Sequence, residues 1–176
     1  MSYFEKRHGV RGRAALYRLD GNGLTQIVDD ITVSNSLAFS PDGRTMYLAD
    51  TTVATVYAFD YDVTLGTASN RRVFVRFDKG RPDGAEVDSQ GGYWIALMMR
   101  GVIARYHPDG TLDFEIPVPV LQPTKMAFGG RNLATLYLTT ASYRYFPGDQ
   151  PMGEQAGGLF AIDTGYHGIE EARFAF

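Results

Sequence analysis

Arg81-Pro82-Asp83-Gly84-Ala85-Glu86-Val87-Asp88, running on through Ser89-Gln90-Gly91-Gly92 into Tyr93-Trp94-Ile95-Ala96, is the stretch around which the chain is organised. Pro-Asp-Gly occurs three times in the sequence. At Pro41-Asp42-Gly43 and Pro108-Asp109-Gly110 it separates two apolar runs, as a hairpin turn does. Proline presets φ, aspartate bonds its own backbone, and glycine accepts positive φ. At Pro82-Asp83-Gly84 the order changes: the tripeptide opens a strand, and the turn comes later, at Gln90-Gly91-Gly92. A carboxylate at a strand entrance has no such turn to explain it. Asp83 is therefore a candidate functional residue, with a cap on the backbone of Gly84 or Ala85 as the structural alternative.

Outward from this stretch, short strand-like runs dominate. Upstream lie Ala14–Leu19, Leu24–Val28, Leu37–Ser40, Thr45–Ala49, Thr55–Phe59 and Arg72–Val75. The pattern restarts with Ala85–Asp88, Tyr93–Leu97, Val102–Tyr106 and Thr111–Ile116. A last round runs through Met126–Phe128, Leu136–Leu138 and Gly158–Ile162. No segment sustains a 3.6-residue apolar period, so the reading is all-β. Phe39, Val87 and Phe128 correspond between rounds, as do Tyr47, Trp94 and Tyr137. Their spacing of roughly 40–50 residues is that of a four-stranded β-propeller blade. Lettering the strands A to D outward from the axis, the chain reads as an incomplete arc of about three and a half blades. It forms one partial propeller domain over residues 1–176.

Composition agrees. Aromatics make up 13%, glycine numbers 20, and the net charge is −3, with no basic excess to attract nucleic acid. Cysteine is absent, which removes disulfides and thiolate metal sites. No apolar run approaches the ~18–20 residues of a membrane span, and the N-terminus lacks a signal-peptide core. A soluble, cytoplasmic protein with neither membrane nor nucleic-acid partners is expected. The bare blade faces at the ends of an arc predict self-association.

Aligning the rounds on strand A gives the candidate site. Four residues before Phe39 stands Asn35, four before Val87 stands Asp83, and four before Phe128 stands Thr124. Three oxygen-bearing side chains thus share the position where strand A enters at the mouth of the central channel. Antiparallel connectivity brings segments 2–12, 51–54, 98–101 and 141–157 to the same face. His8 and Arg100 in these loops are candidates to meet an acidic substrate. Glu86 falls in a slot that holds Ala38 and Ala127 in the other rounds, and pairing with a neighbouring arginine or solvent is expected for it. An aspartate and an asparagine facing one channel offer oxygen ligands only, which suits a hard cation such as Ca²⁺ or Mg²⁺.

At this point the residues resemble a known family. Asn35-Ser36-Leu37-Ala38-Phe39-Ser40-Pro41-Asp42-Gly43 is similar to its Asn-Gly-Leu-Ala-Trp-Ser-Pro-Asp-Gly stretch. Asn70-Arg71-Arg72-Val73-Phe74, Arg81-Pro82-Asp83-Gly84, Pro123-Thr124 with Phe128-Gly129-Gly130, and Ala156-Gly157-Gly158-Leu159-Phe160 follow in the family's order. The family is the gluconolactonase/regucalcin (senescence-marker protein) group of six-bladed propeller lactonases. The resemblance implies a divalent cation at the channel mouth (Ca²⁺ first, with Zn²⁺, Mg²⁺ or Mn²⁺ as alternatives) and hydrolysis of sugar lactones. It places the metal-binding asparagine on Asn35, and the metal-binding aspartate, also the general base, on Asp83. The family's third ligand, a first-blade glutamate, has no counterpart in this sequence. Ser36 replaces the glycine after the asparagine, at a backbone angle that aims Asn35.

The resemblance covers the C-terminal part of a full-length member, and Met1-Ser2 is similar to an internal Met-Ser of the family. Met1 is accordingly expected to be an internal methionine, and the 176-residue chain to be weakly active or inactive. Two functions are open at this stage. One is a metal-dependent lactone hydrolase using Asn35 and Asp83 as ligands, with substrate contacts from Thr124, Arg100 and His8. The other is a non-catalytic binding or scaffold module that kept the blades and lost half the metal site.

Overall fold

The computed structural model describes residues 12–142 and 151–173. Thirteen strands and no α-helix occur among them. A two-stranded sheet comes first, β1 (Ala14–Asp20) with β2 (Gly23–Ile31). A four-stranded sheet follows: β3 (Ser34–Phe39), β4 (Thr45–Asp50), β5 (Thr55–Asp62) and β6 (Thr67–Arg76). A second four-stranded sheet holds β7 (Arg81–Val87), β8 (Tyr93–Met98), β9 (Val102–Tyr106) and β10 (Leu112–Pro117). The last sheet has three strands, β11 (Pro123–Gly129), β12 (Thr135–Thr140) and β13 (Leu159–Asp163). Every sheet is an antiparallel meander in chain order, with β3, β7 and β11 as adjacent first strands. This is an arc of a β-propeller: the outer two strands of one blade, two whole blades, and three strands of a fourth.

Three apolar layers hold the blades together. Val28, Ile31, Met46, Leu48 and Phe59 fill the first gap, and Tyr47, Val56, Tyr93, Ile95 and Leu97 the second. Trp94, Ile103, Met126, Leu136 and Leu138 fill the third. The alternation within one strand explains the sequence pattern. Met46 and Leu48 face back to the preceding blade, whereas Tyr47 faces forward to Tyr93, with ring centroids 4.7 Å apart. Fully burying a leucine such as Leu48, Leu97 or Leu138 contributes roughly 1.5–3 kcal/mol.

The equivalent positions Tyr47, Trp94 and Tyr137 show how each face depends on a neighbour. Tyr47 and Trp94 are covered by the next blade and are 2% and 0% exposed, while Tyr137, on the last described blade, is 38% exposed. Leu159 is exposed beside it. At the far end, Tyr17, Leu19 and Leu24 are exposed on the two-stranded sheet.

One buried polar network was not legible in the sequence. Asp88 is fully buried, and its carboxylate accepts from Trp94 Nε1 (2.7 Å), Arg105 Nε (2.7 Å), and the backbone N–H groups of Gln90 and Gly92 (2.9 Å each). The Arg105 guanidinium also reaches Asp113 at 2.5 Å and lies 4.2 Å from the ring centroid of Tyr166. The network closes the turn end of the third blade, on the face opposite the strand-A entrances.

Candidate functional site

Each first strand loses register with its partner at the same place. The breaks fall between Asn35 and Ala38 in β3, between Pro82 and Ala85 in β7, and between Pro123 and Lys125 in β11. An extra residue in one strand re-aims the side chains beside it. The repeat that aligned Asn35, Asp83 and Thr124 thus corresponds to three bulges around one axis. All three residues line a single cleft of about 520 Å³, together with Ser36, Gly84 and Lys125. A groove of about 570 Å³ lies at the opposite end, among the turns carrying Asp42, Gln90 and Asp109. Size does not distinguish the two; the state of their acids does, since Asp42 and Asp109 accept hydrogen bonds within their own turns.

Asp83 is half-buried. Among the described residues its carboxylate accepts no hydrogen bond and has no cation within ion-pair distance, and neither Gly84 nor Ala85 caps it. Burial without a compensating donor pushes its pKa up from 3.8 to about 6. A carboxylate left in that condition is a strong acceptor for whatever positive charge enters the cleft.

Asn35 is held differently. Its Nδ2 donates to Thr51 Oγ1 at 2.8 Å, and Thr51 Oγ1 donates to the Pro82 carbonyl at 2.8 Å. Ser36, beside Asn35, adopts φ +58°, the left-handed region that favours glycine. A non-glycine residue there costs roughly 1–2 kcal/mol. Two hydrogen bonds offset that cost: Ser36 Oγ donates to the Asp83 carbonyl, and Tyr93 Oη donates to the Ser36 carbonyl at 3.3 Å. Gly84 allows the close approach of β11. A Cβ on it would lie 2.7 Å from both Lys125 Cα and the Thr124 carbonyl oxygen.

The remaining candidates are not equivalent. The Thr124 hydroxyl lies 2.8 Å from that of Thr139, at the rim of the same cleft. Arg100 lies apart: it makes a two-pronged ion pair with Glu115, both contacts at 2.8 Å, and lines a separate pocket with Arg76, Phe77, Asp78 and Lys79. His8 lies outside the described residues, as does most of the segment 2–12 and the central part of 141–157.

Glu86 pairs with Lys125 at 3.5 Å, which corrects the expected arginine or solvent. Burial raises its carboxyl above the ordinary range despite that lysine and an N–H bond from Val87. Asp50, at the mouth end of β4, is unavailable as a further ligand. Its oxygens accept from the backbone N–H groups of Thr32 (2.8 Å), Val33 (3.2 Å) and Thr52 (3.0 Å). Thr51 and Lys125 are the residues around the cleft that the sequence did not single out.

The donor set fits a hard divalent cation in part. The Asp83 carboxylate has no partner among the described residues, and Asn35, anchored through its nitrogen, has its amide oxygen left over. Among the described residues no group of three or more His, Cys, Asp or Glu side chains is gathered as a metal cage.

Comparison with known proteins bears on this site. The chain is 38% identical over 168 residues to 6-deoxy-6-sulfogluconolactonase of Pseudomonas putida, covering 94% of this chain and 58% of that protein. It is 36% identical over 165 residues to pentonolactonase XacC of Haloferax volcanii, covering 90% and 57%. In structure it is similar to the calcium-binding protein regucalcin from Agrobacterium tumefaciens, with a TM-score of 0.86 and 29% identity, covering 95% of this chain and 58% of that one. The chain therefore spans a little under three-fifths of the length of these relatives. A family model described as the SMP-30/gluconolactonase/LRE-like region matches residues 1–142. On these matches the chain belongs to the SMP-30/gluconolactonase/LRE-like family.

Proposed function

We propose that the mouth cleft is one side of an active site for sugar-lactone hydrolysis, with Asn35 and Asp83 as its cation ligands and Asp83 as its base. The observation that carries this reading is the half-buried Asp83 carboxylate, without a partner among the described residues, beside an asparagine tethered by its nitrogen. A Ca²⁺ or similar ion held by these two oxygens would supply Lewis-acid polarisation of a lactone carbonyl. Asp83, ionised above about pH 6, takes a proton from the attacking water. The ester bond between carbonyl carbon and ring oxygen then breaks, the ring oxygen receives that proton, and a hydroxy acid leaves. Thr124 stands at the cleft rim, where it can position substrate hydroxyls. The relatives named lactonases support this substrate class.

Among the described residues one carboxylate and one amide make a thin shell for a dication. That shortfall favours a second reading for this chain by itself: a module that binds without turnover until further ligands join it.

The test is a pH-stat assay on glucono-δ-lactone and a pentonolactone, with added Ca²⁺ or with EDTA. It is run on the chain alone and on a chimera whose ring is completed by blades of a relative. Weak turnover by the chain and cation-dependent turnover by the chimera are expected, with Asp83→Asn lowering the latter at least about 100-fold. No turnover in either, or turnover indifferent to Asp83→Asn, contradicts the proposal.

A further inference from the structure

We infer that Thr51 is a positioning residue of the mouth site: its hydroxyl fixes which end of the Asn35 carboxamide faces the cleft. This inference rests on Asn35 acting as a cation ligand through oxygen.

The argument is one of hydrogen-bond direction. A threonine hydroxyl has a single proton to donate and lone pairs to accept with. The Pro82 carbonyl, 2.8 Å from Thr51 Oγ1, can only accept, so the proton is committed to it. Towards Asn35, also at 2.8 Å, the hydroxyl is then left as an acceptor. The end of the carboxamide facing Thr51 must be the NH₂ group, and the oxygen is the end that remains. Reversing the amide would require the Thr51 proton to turn to Asn35 and would leave the buried Pro82 carbonyl unpaired, at a cost of about 1–3 kcal/mol.

Thr51 is well placed to hold this orientation. It is 1% exposed, and its own N–H donates to the Val33 carbonyl at 3.0 Å, next to the start of β3. Its hydroxyl thus joins Asn35 of one blade to Pro82 of the next, one residue before Asp83. Two blades are set relative to each other by the group that orients the amide. Asp83, by contrast, has no orienting partner among the described residues. A cation therefore meets one preset oxygen and one free carboxylate.

The experiment combines calorimetric titration of Ca²⁺ and Mn²⁺ with side-chain amide NMR. It uses the wild-type chain, Thr51→Ser, Thr51→Val and Asp83→Asn. Thr51→Ser keeps the hydroxyl and should bind within about twofold of wild type, while Thr51→Val should bind at least about tenfold more weakly, as loss of a group orienting a ligand does. Asp83→Asn should abolish binding. Wild-type binding lost in Asp83→Asn but unchanged in Thr51→Val overturns the inference and leaves the site reading standing. No binding by wild type, or none lost in Asp83→Asn, overturns the site reading and the inference with it. Should Thr51→Val fail to fold, the wild-type NMR spectrum decides. Slowly exchanging Asn35 NH₂ protons that stay protected while Ca²⁺ shifts the Asn35 carbonyl carbon support the inference. Freely exchanging NH₂ protons overturn it.

Discussion

Replacing Asp83 with asparagine should make the cation-free protein more stable at neutral pH. The folded-state pKa is about 6, against an ordinary 3.8, because burial disfavours the charged form. The folded state therefore holds the Asp83 proton more tightly than the unfolded chain does. Between about pH 4 and pH 6 the unfolded chain loses that proton first, and folding stability falls as pH rises through the window. Above about pH 6 the full penalty of an ionised buried carboxylate is present; below about pH 4 it vanishes.

A shift of about two units at 1.36 kcal/mol each gives about 3 kcal/mol, and solvent reaching the half-buried group reduces this to about 2 kcal/mol. For a protein of this length that is a rise in Tm of roughly 4–8 °C. Urea unfolding in EDTA from pH 4 to pH 8 reads the difference directly. Asp83→Asn should match wild type at pH 4 and exceed it by about 2 kcal/mol at pH 8. Destabilisation at pH 8, or a difference independent of pH, would refute the reasoning that Asp83 is an uncompensated acid.

Further expectations concern packing. Gly84→Ala should cost about 1–3 kcal/mol in urea unfolding, since its Cβ meets the backbone of β11 as well as the Lys125 side chain, and the backbone cannot swing aside as a side chain can. An unchanged midpoint would mean that β7 and β11 can separate freely. Asp88→Asn, which sets an NH₂ group among four donors and breaks a buried ion pair, should cost about 3–5 kcal/mol. Self-association through the exposed face of the last blade, with a second copy of the chain as the occupant, should weaken in Tyr137→Glu with Leu159→Lys. Sedimentation velocity showing a wild-type monomer at all concentrations would exclude that face as a contact.

The fold was largely legible because a propeller writes its geometry into the chain as a repeat. Phe39, Val87 and Phe128 mark successive first strands, and the aromatic at Tyr47, Trp94 and Tyr137 marks successive second strands. The same period put Asn35, Asp83 and Thr124 at one blade position, which the structure opens into one cleft. What periodicity cannot express is contact between blades. Thr51 reaches Pro82 and Lys125 reaches Glu86 only because neighbouring first strands lie side by side. Arg100 belongs to a loop at the mouth, yet its side chain runs back along its own blade to Glu115, a direction no linear pattern encodes. Asp88 read as the end of a strand, and its burial beneath Arg105 and Trp94 required β9 to lie against the β7–β8 hairpin.

The most direct test of the site is diffraction from crystals soaked in Ca²⁺, collected at a wavelength where calcium scatters anomalously. The account predicts an anomalous peak in the mouth cleft, about 2.3–2.6 Å from Asn35 Oδ1 and from an Asp83 carboxylate oxygen. A peak elsewhere, or an Asn35 whose nitrogen faces the ion, would contradict it.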